Sequence, residues 1–182
     1  MTASQVFCRH PDIFYFEKEI RHRSDQEVVG IFTSRGELLH SYSSDYSGVL
    51  HVKIPDADQL SSRHQILTHN HPSDTSFSLP DLETAARFDV AEIRVVGETG
   101  VYSMMPSPDG WPEPDIMGDQ FREVDFDPEF NSHMLDIEFS AEFLAQAKDN
   151  YNDLKRIRSD LRCRQVAETF DLIYEGARWE TK

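Results

Sequence analysis

The stretch that decides how the chain is interpreted runs from His69 to Asp81 and reads His-Asn-His-Pro-Ser-Asp-Thr-Ser-Phe-Ser-Leu-Pro-Asp. On an extended segment, side chains at i and i+2 point to the same side, so His69 and His71 share a face. A helix that begins near Ser78 would bring Asp81 back to them in its first turn. Two neutral imidazoles and one carboxylate leave a fourth tetrahedral position for water, which is typical of a catalytic zinc site rather than of a closed structural one.

The same residues also have simpler interpretations. Ser78-Leu79-Pro80-Asp81 is a good helix start, with a serine N-cap, a proline in the first turn and an aspartate as the capping-box acid. Helix capping alone would explain Ser78 and Asp81. Asp74 is a second carboxylate near the histidines, although its Ser-Asp-Thr-Ser context is typical of a turn. The residues by themselves leave these alternatives open.

The order of the motif residues resembles the signature of the JAB/MPN metallopeptidases, in which the JAMM motif runs glutamate, then His-x-His-Pro, then Ser-x-x-Asp. The matching residues are His69, His71, Pro72, Ser78 and Asp81, with Glu27 upstream before the apolar run Val-Val-Gly-Ile-Phe. The resemblance extends from about Gln26 to Met105 and is closer to the bacterial and phage members, including the RadC-like branch, than to the eukaryotic deubiquitinases. The connection from Pro72 to Ser78 is shorter than in the commonest form of the motif. This tighter loop affects whether Asp81 can reach a metal bound by the two histidines.

The resemblance implies a role for each matching residue. His69, His71 and Asp81 would hold Zn²⁺, which would lower the pKa of bound water. Glu27 would act as the general base, and Ser78 would donate a hydrogen bond to the developing oxyanion. The implied activity is a zinc-dependent, metallopeptidase-like hydrolysis of a peptide or isopeptide bond, with a peptide or a ubiquitin-like protein or conjugate as the substrate.

The identity of the base is the weakest of these assignments on sequence alone. The alternative glutamates are Glu17, Glu19 and Glu37. Glu27 is favoured because it lies at the mouth of the first strongly apolar strand, which is where the family has its catalytic glutamate.

Hydrophobic patterning predicts an α/β fold. The resemblance implies that this fold is an MPN-like mixed β-sheet flanked by helices, with a JAB/MPN-like catalytic domain over residues 1–105. The predicted strands are Glu27–Thr33, Glu37–Tyr42, Gly48–Ile54, Gln65–Thr68, Ala91–Val96 and Gly100–Met105. The predicted helices are Pro55–Arg63 and Leu79–Phe88. The mixed segment Pro11–Gln26 is predicted to be a short helix, with an edge strand as the alternative.

The remaining chain is predicted to consist of two parts. Residues 106–132 hold one basic and eight acidic side chains together with several prolines, which predicts an acidic, irregular segment. Residues 133–182 are predicted to be a long C-terminal helical extension. Its apolar stripe is formed by Leu144, Ala147, Tyr151, Leu154 and Leu161. Such a stripe favours packing on the core, with a homo-oligomer through this helix as the alternative.

Composition narrows the classes of partner. With 18 basic and 33 acidic residues the net charge is −15, which disfavours nucleic acid because binding there depends on cationic contacts to phosphates. No apolar run approaches the roughly 20 residues of a membrane span, and the N-terminus lacks the features of a signal peptide. The two cysteines are too few for a disulfide framework. These features predict a cytoplasmic protein that does not contact a membrane.

A noncatalytic role is the alternative from another functional class. The chain could be an MPN-like assembly or interaction module, associated with a phage or a conflict system, with the C-terminal helix as its interface. The presence of all five polar motif residues favours the enzyme, since a scaffold needs neither metal ligands nor a base.

Overall fold

The computed structural model describes residues 10–44, 64–146 and 150–179. The helices are Pro11–Ile20 (α1), Leu79–Phe88 (α2), Pro114–Phe126 (α3), Pro128–Glu138 (α4), Ala141–Gln146 (α5) and Asn150–Thr169 (α6). The strands are Val28–Thr33 (β1), Leu38–Ser43 (β2), Gln65–Asn70 (β3), Glu92–Val96 (β4), Gly100–Met105 (β5) and Ile173–Arg178 (β6). The predicted strand Gly48–Ile54 and the predicted helix Pro55–Arg63 lie outside the described residues.

The described strands form one mixed sheet in the order β2-β1-β3-β4-β5-β6. Only β3 and β4 are parallel, and α2 makes the crossover between them. The other neighbouring pairs are antiparallel. This arrangement confirms the predicted α/β class, the hairpin β1–β2 and the hairpin β4–β5.

Helices cover both faces of the sheet. On the α1 side, Ile66 of β3 is buried with Ile13 and Phe32. On the other side, Leu67 joins the large core that includes residues of α2, α3, α4 and α6. Because side chains alternate along a strand, β3 sends Leu67 and His69 to this second face and sends Thr68 and Asn70 toward α1.

The prediction of an irregular segment over residues 106–132 is wrong from Pro114 onward, because α3 and α4 occupy most of it. Pro114 and Pro128 each begin a helix, where the missing N–H costs nothing. Met117, Phe121 and Val124 recur at helical spacing and are buried in the large core. The acidic residues concealed this stripe, since they occupy the exposed faces of the same helices.

The C-terminal region is more than a helical extension. Helix α6 packs on the core through Leu154 and Leu161, as the stripe predicted, whereas Leu144 and Tyr151 are exposed. The chain then returns as β6, which pairs with β5 along its whole length and completes the sheet. Residues after 132 therefore belong to the same fold as the predicted catalytic domain. No helix in the described part of the chain combines the length and the apolar character needed to cross a membrane.

Candidate metal centre

Strand β3 and the residue that follows it supply the two histidines. The strand continues its pairing with β4 one residue further, because the His71 N–H donates to the carbonyl of Val96 at 2.9 Å. This extended backbone holds both rings on one face, with their Nε2 atoms 3.1 Å apart. His69 is 2% exposed, so its environment is almost entirely protein.

Asp81 reaches the histidines from the first turn of α2. One carboxylate oxygen lies 3.1 Å from Nε2 of His69, and the other lies 3.2 Å from Nε2 of His71. The carboxylate is oriented by Ser78, whose backbone N–H and hydroxyl both donate to Oδ2, at 2.7 and 2.6 Å. The short connection from Pro72 to Ser78 thus brings Asp81 into the site. Ser78 and Asp81 therefore both cap helix α2 and form part of the site.

Glu27 completes the group from the opposite side. It immediately precedes β1, and its Oε1 lies 3.7 Å from Nε2 of His69, which is farther than the Asp81 oxygen. One ligand atom from each of Glu27, His69, His71 and Asp81 falls within 4.8 Å of the others. We call these four residues the candidate metal centre.

The predicted alternative bases are elsewhere. Glu17 is fully buried on the other face of the sheet, where its carboxylate accepts from Arg94 at 2.6 Å and from the Thr68 hydroxyl at 2.9 Å. Glu19 and Glu37 are exposed. Among the four glutamates considered, Glu27 alone reaches the histidines.

The side chains of the centre polarise one another strongly. Burial alone would lower the pKa of His69, but the carboxylates of Asp81 and Glu27 outweigh it and raise this pKa above its ordinary value. Burial alone would raise the pKa of Asp81, but His69 and His71 outweigh it and hold this pKa well below the usual range. The centre therefore favours a negative carboxylate facing a positive charge.

The tautomer of His71 follows from its other nitrogen. Nδ1 lies 3.1 Å from the carbonyl oxygen of Thr75, which can only accept, so Nδ1 carries a hydrogen. In the neutral ring Nε2 then presents a lone pair to Asp81 Oδ2 and to His69 Nε2. Lone pairs that converge in this way can be satisfied by a proton on His69 or by a metal ion. A backbone carbonyl that orients a histidine is also the usual support of a metal ligand.

Asp74 does not join the centre. Its carboxylate accepts from the backbone N–H of Thr99 at 3.0 Å and from the Thr99 hydroxyl at 2.6 Å, and Arg156 lies 3.4 Å away. Its backbone has a φ of 55°, which aspartate tolerates in turns. A Cβ at Gly97 would overlap this carboxylate. The turn interpretation of Asp74 is confirmed, and the residue fastens the loop that carries His71 to the β4–β5 turn.

Asn70 is a residue of the site that sequence reasoning missed. Its Oδ1 accepts from the Val28 N–H at 2.6 Å, and its Nδ2 donates to the carbonyls of Arg23 at 2.8 Å and Gln26 at 3.0 Å. These bonds hold the chain on both sides of Glu27. The sequence signal for Asn70 is its position between two histidines on an extended segment. Because side chains alternate there, Asn70 points to the face opposite the histidines, where it bonds the backbone around Glu27.

His133 is exposed on α4 and is not part of the centre.

No family model matches the chain, and comparison with curated proteins and with solved structures finds no match.

Proposed function

We propose that the candidate metal centre binds Zn²⁺ and that the protein is a JAMM-type metallopeptidase of the JAB/MPN class. The observation that carries this proposal is the convergence of two imidazole nitrogens, 3.1 Å apart, on one carboxylate, whose two oxygens lie 3.1 Å from His69 and 3.2 Å from His71. Each ligand is held by a hydrogen bond or a buried strand, so the geometry exists before any ion arrives.

The separations fit zinc. With zinc–nitrogen and zinc–oxygen bonds of about 2.0 to 2.1 Å, tetrahedral ligands lie about 3.3 Å from each other. The two imidazole nitrogens, 3.1 Å apart, are slightly closer than this, and each lies 3.1 to 3.2 Å from a different oxygen of the Asp81 carboxylate. Imidazole and carboxylate ligands suit zinc, and three protein ligands are typical of catalytic rather than structural sites.

Zinc bound there would act as a Lewis acid and would bring the pKa of a coordinated water toward neutrality. Glu27 accepts the proton of the attacking water and later delivers it to the leaving amine, which is the task of a general base. Its Oε1 lies farther from His69 Nε2 than the Asp81 oxygen does, at 3.7 against 3.1 Å, which supports a role in proton transfer rather than in ligation. Burial around His69 and Glu27 limits access of bulk water, so Glu27 meets few competing proton donors.

Ser78 has a supporting role that the geometry makes explicit. Its hydroxyl proton is given to Asp81 at 2.6 Å, and its backbone N–H reinforces the same oxygen. These donors hold the Asp81 carboxylate in its orientation toward the histidines. Donation by Ser78 to a developing oxyanion, which the resemblance implies, stays a prediction and requires the hydroxyl to turn away from Asp81 during the reaction.

The substrate class proposed is a peptide or isopeptide bond, including one that joins a ubiquitin-like protein to its target. The noncatalytic assembly module remains the alternative. It differs in a measurable way, because an interaction module needs neither a bound metal nor Glu27.

The test is metal content combined with cleavage. Wild-type protein expressed with zinc in the medium is expected to hold about one zinc per chain by elemental analysis, whereas His71→Ala should lose both metal and cleavage of a mixed peptide library. His133→Ala is the matched control, since it removes an exposed histidine outside the centre and should leave both unchanged. Wild-type protein without zinc, or His71→Ala with a full complement, would overturn the proposal.

A further inference from the structure

A second polar pocket lies between helix α6 and the strands β5 and β6. Within the described part of the chain, its lining includes Arg156, Arg164 and Arg178 and one acidic residue, Asp160. The chain as a whole carries a net charge of −15, so this concentration of arginines runs against the general charge of the protein. We call it the arginine pocket.

The arginines are held in place to different degrees. Arg156 is fixed by Asp153 at 3.0 Å and by Asp74 at 3.4 Å. Arg164 lies over the Tyr174 ring at 5.4 Å, with a loose contact of 3.4 Å to Asp160, and half of its side chain is exposed. Arg178 is exposed and makes no ion pair with any described residue. Arg164 and Arg178 can therefore turn toward a ligand.

Asp160 is already engaged by other groups. Its Oδ1 accepts from the Tyr174 hydroxyl at 2.6 Å, and that hydroxyl lies 2.8 Å from the Ser76 hydroxyl in the loop that carries His71. Asp160 already accepts this hydrogen bond, so its negative charge offsets part of the positive charge of the arginines but leaves room for a ligand. A singly charged anion suits this balance better than a dianion does.

The arginine pocket and the candidate metal centre share one face of the sheet. His69, Val95, Tyr102 and Gly176 are in register across four neighbouring strands. Side chains at in-register positions point to the same face, and neighbouring strands are about 4.8 Å apart. Tyr102 and Gly176 line the pocket, so it lies about 10 to 14 Å from His69 along this row.

We propose that the arginine pocket binds a carboxylate of a polypeptide substrate of the candidate metal centre. The inference rests on the proposed function for what happens at the centre, but binding of the carboxylate does not depend on it. Planar guanidinium groups match a carboxylate through paired hydrogen bonds.

The Tyr102 side chain supports this ligand. Burial, together with the charges of Asp160 and Asp74, raises the pKa of Tyr102 to about 12, so its hydroxyl keeps its proton and can donate. A carboxylate could come from a C-terminus or from an acidic side chain. Both present the same group to the pocket, and the experiment separates them.

Binding is measured on full-length Glu27→Gln protein, which keeps the arginine pocket and does not cleave the probe. The probes are hexapeptides of sequence Gly-Ser-Gly-Ala-Gly-X with an acetylated N-terminus. In one, X is glutamate with an amidated C-terminus; in the second, X is glutamine with a free C-terminus; in the third, X is glutamine with an amidated C-terminus. The amide NMR signals of Thr99, Tyr102 and Gly176 should shift with at least one of the first two probes and not with the third.

The double change Arg164→Gln and Arg178→Gln should weaken this binding at least about tenfold, since charge-assisted contacts are lost. The matched control is Arg87→Gln with Arg122→Gln, which removes the same charge from exposed positions on α2 and α3. Equal weakening in both pairs, equal binding of the third probe, or shifts confined to other regions would overturn the proposal. Specific binding without cleavage of any peptide by the zinc-loaded wild type would instead contradict the proposed function and leave the carboxylate site standing.

Discussion

Raising the pH of the metal-free protein from 6.5 to 8 is expected to lower its free energy of unfolding. Although burial opposes it, the pKa of His69 is raised above its ordinary value of 6.5 by Asp81 and Glu27. The folded state therefore keeps a proton that the unfolded state releases near pH 6.5. This contribution to stability is complete below pH 6.5 and is lost as the pH rises through the pKa of the folded state.

The magnitude follows from one proton on one buried group. His69 is 2% exposed, so no allowance for solvent screening is needed. Within the window between the two pKa values the slope reaches at most about 1.4 kcal/mol per pH unit. For a chain of this length, 1 kcal/mol corresponds to about 2 to 4 °C in melting temperature, so the expected loss is about 3 to 6 °C per pH unit. Asp81 does not contribute to the change in stability between pH 6.5 and 8. Burial would raise its pKa, but His69 and His71 outweigh burial and hold this pKa well below the usual range.

The assay is thermal unfolding at several pH values in the presence of a chelator. His69→Gln should flatten the slope, and His133→Ala should keep it. Added zinc should reverse the sign, since metal binding requires unprotonated imidazoles and strengthens as the pH rises. A melting temperature of the metal-free wild type that stays level or increases from pH 6.5 to 8, relative to His69→Gln, would refute the reasoning about the centre.

The other predictions concern single side chains around the centre. Glu27→Gln should keep zinc, measured by elemental analysis, while cleavage falls by about 10² to 10⁴; cleavage at the wild-type rate would exclude Glu27 as the base. Asn70→Ala should lower the free energy of unfolding by about 3 kcal/mol in urea titration, because it leaves buried backbone groups without their partner; a loss below about 1 kcal/mol would contradict its positioning role. Gly97→Ala should cost about 1 to 3 kcal/mol and weaken zinc binding, since the added Cβ displaces the Asp74 carboxylate and the loop it fastens; unchanged zinc affinity, measured by competition with a chelator, would disprove that coupling.

Local rules made much of the site predictable from sequence. The start of α2 followed from Ser78 as N-cap, proline in the first turn and Asp81 as the capping acid, all of which act within one helical turn. The shared face of His69 and His71 followed from the two-residue period of an extended chain. These signals depend on neighbours in sequence, so no tertiary information was needed.

Helix α3 and the start of α4 were missed because two signals conflicted. The prolines between residues 106 and 114 were interpreted as breakers, although Pro114 begins a helix. The buried stripe of Met117, Phe121 and Val124 is short and lies among acidic residues. It indicates a buried helix face only when the core that covers it is known. That core is formed by β-strands and by α6, which are distant in sequence.

By itself the sequence determined the α/β class, the paired histidines on one face and the helix that carries Asp81. Only the tertiary structure decided which glutamate reaches them. Arg94 holds Glu17 on the opposite face, while Asn70 positions the chain on both sides of Glu27. The same holds for β6 and the arginine pocket, which exist because a strand from the end of the chain pairs with β5. The physical reason is that capping and alternation act between near neighbours, whereas ion pairs and sheet edges select partners by three-dimensional proximity, which no local pattern encodes.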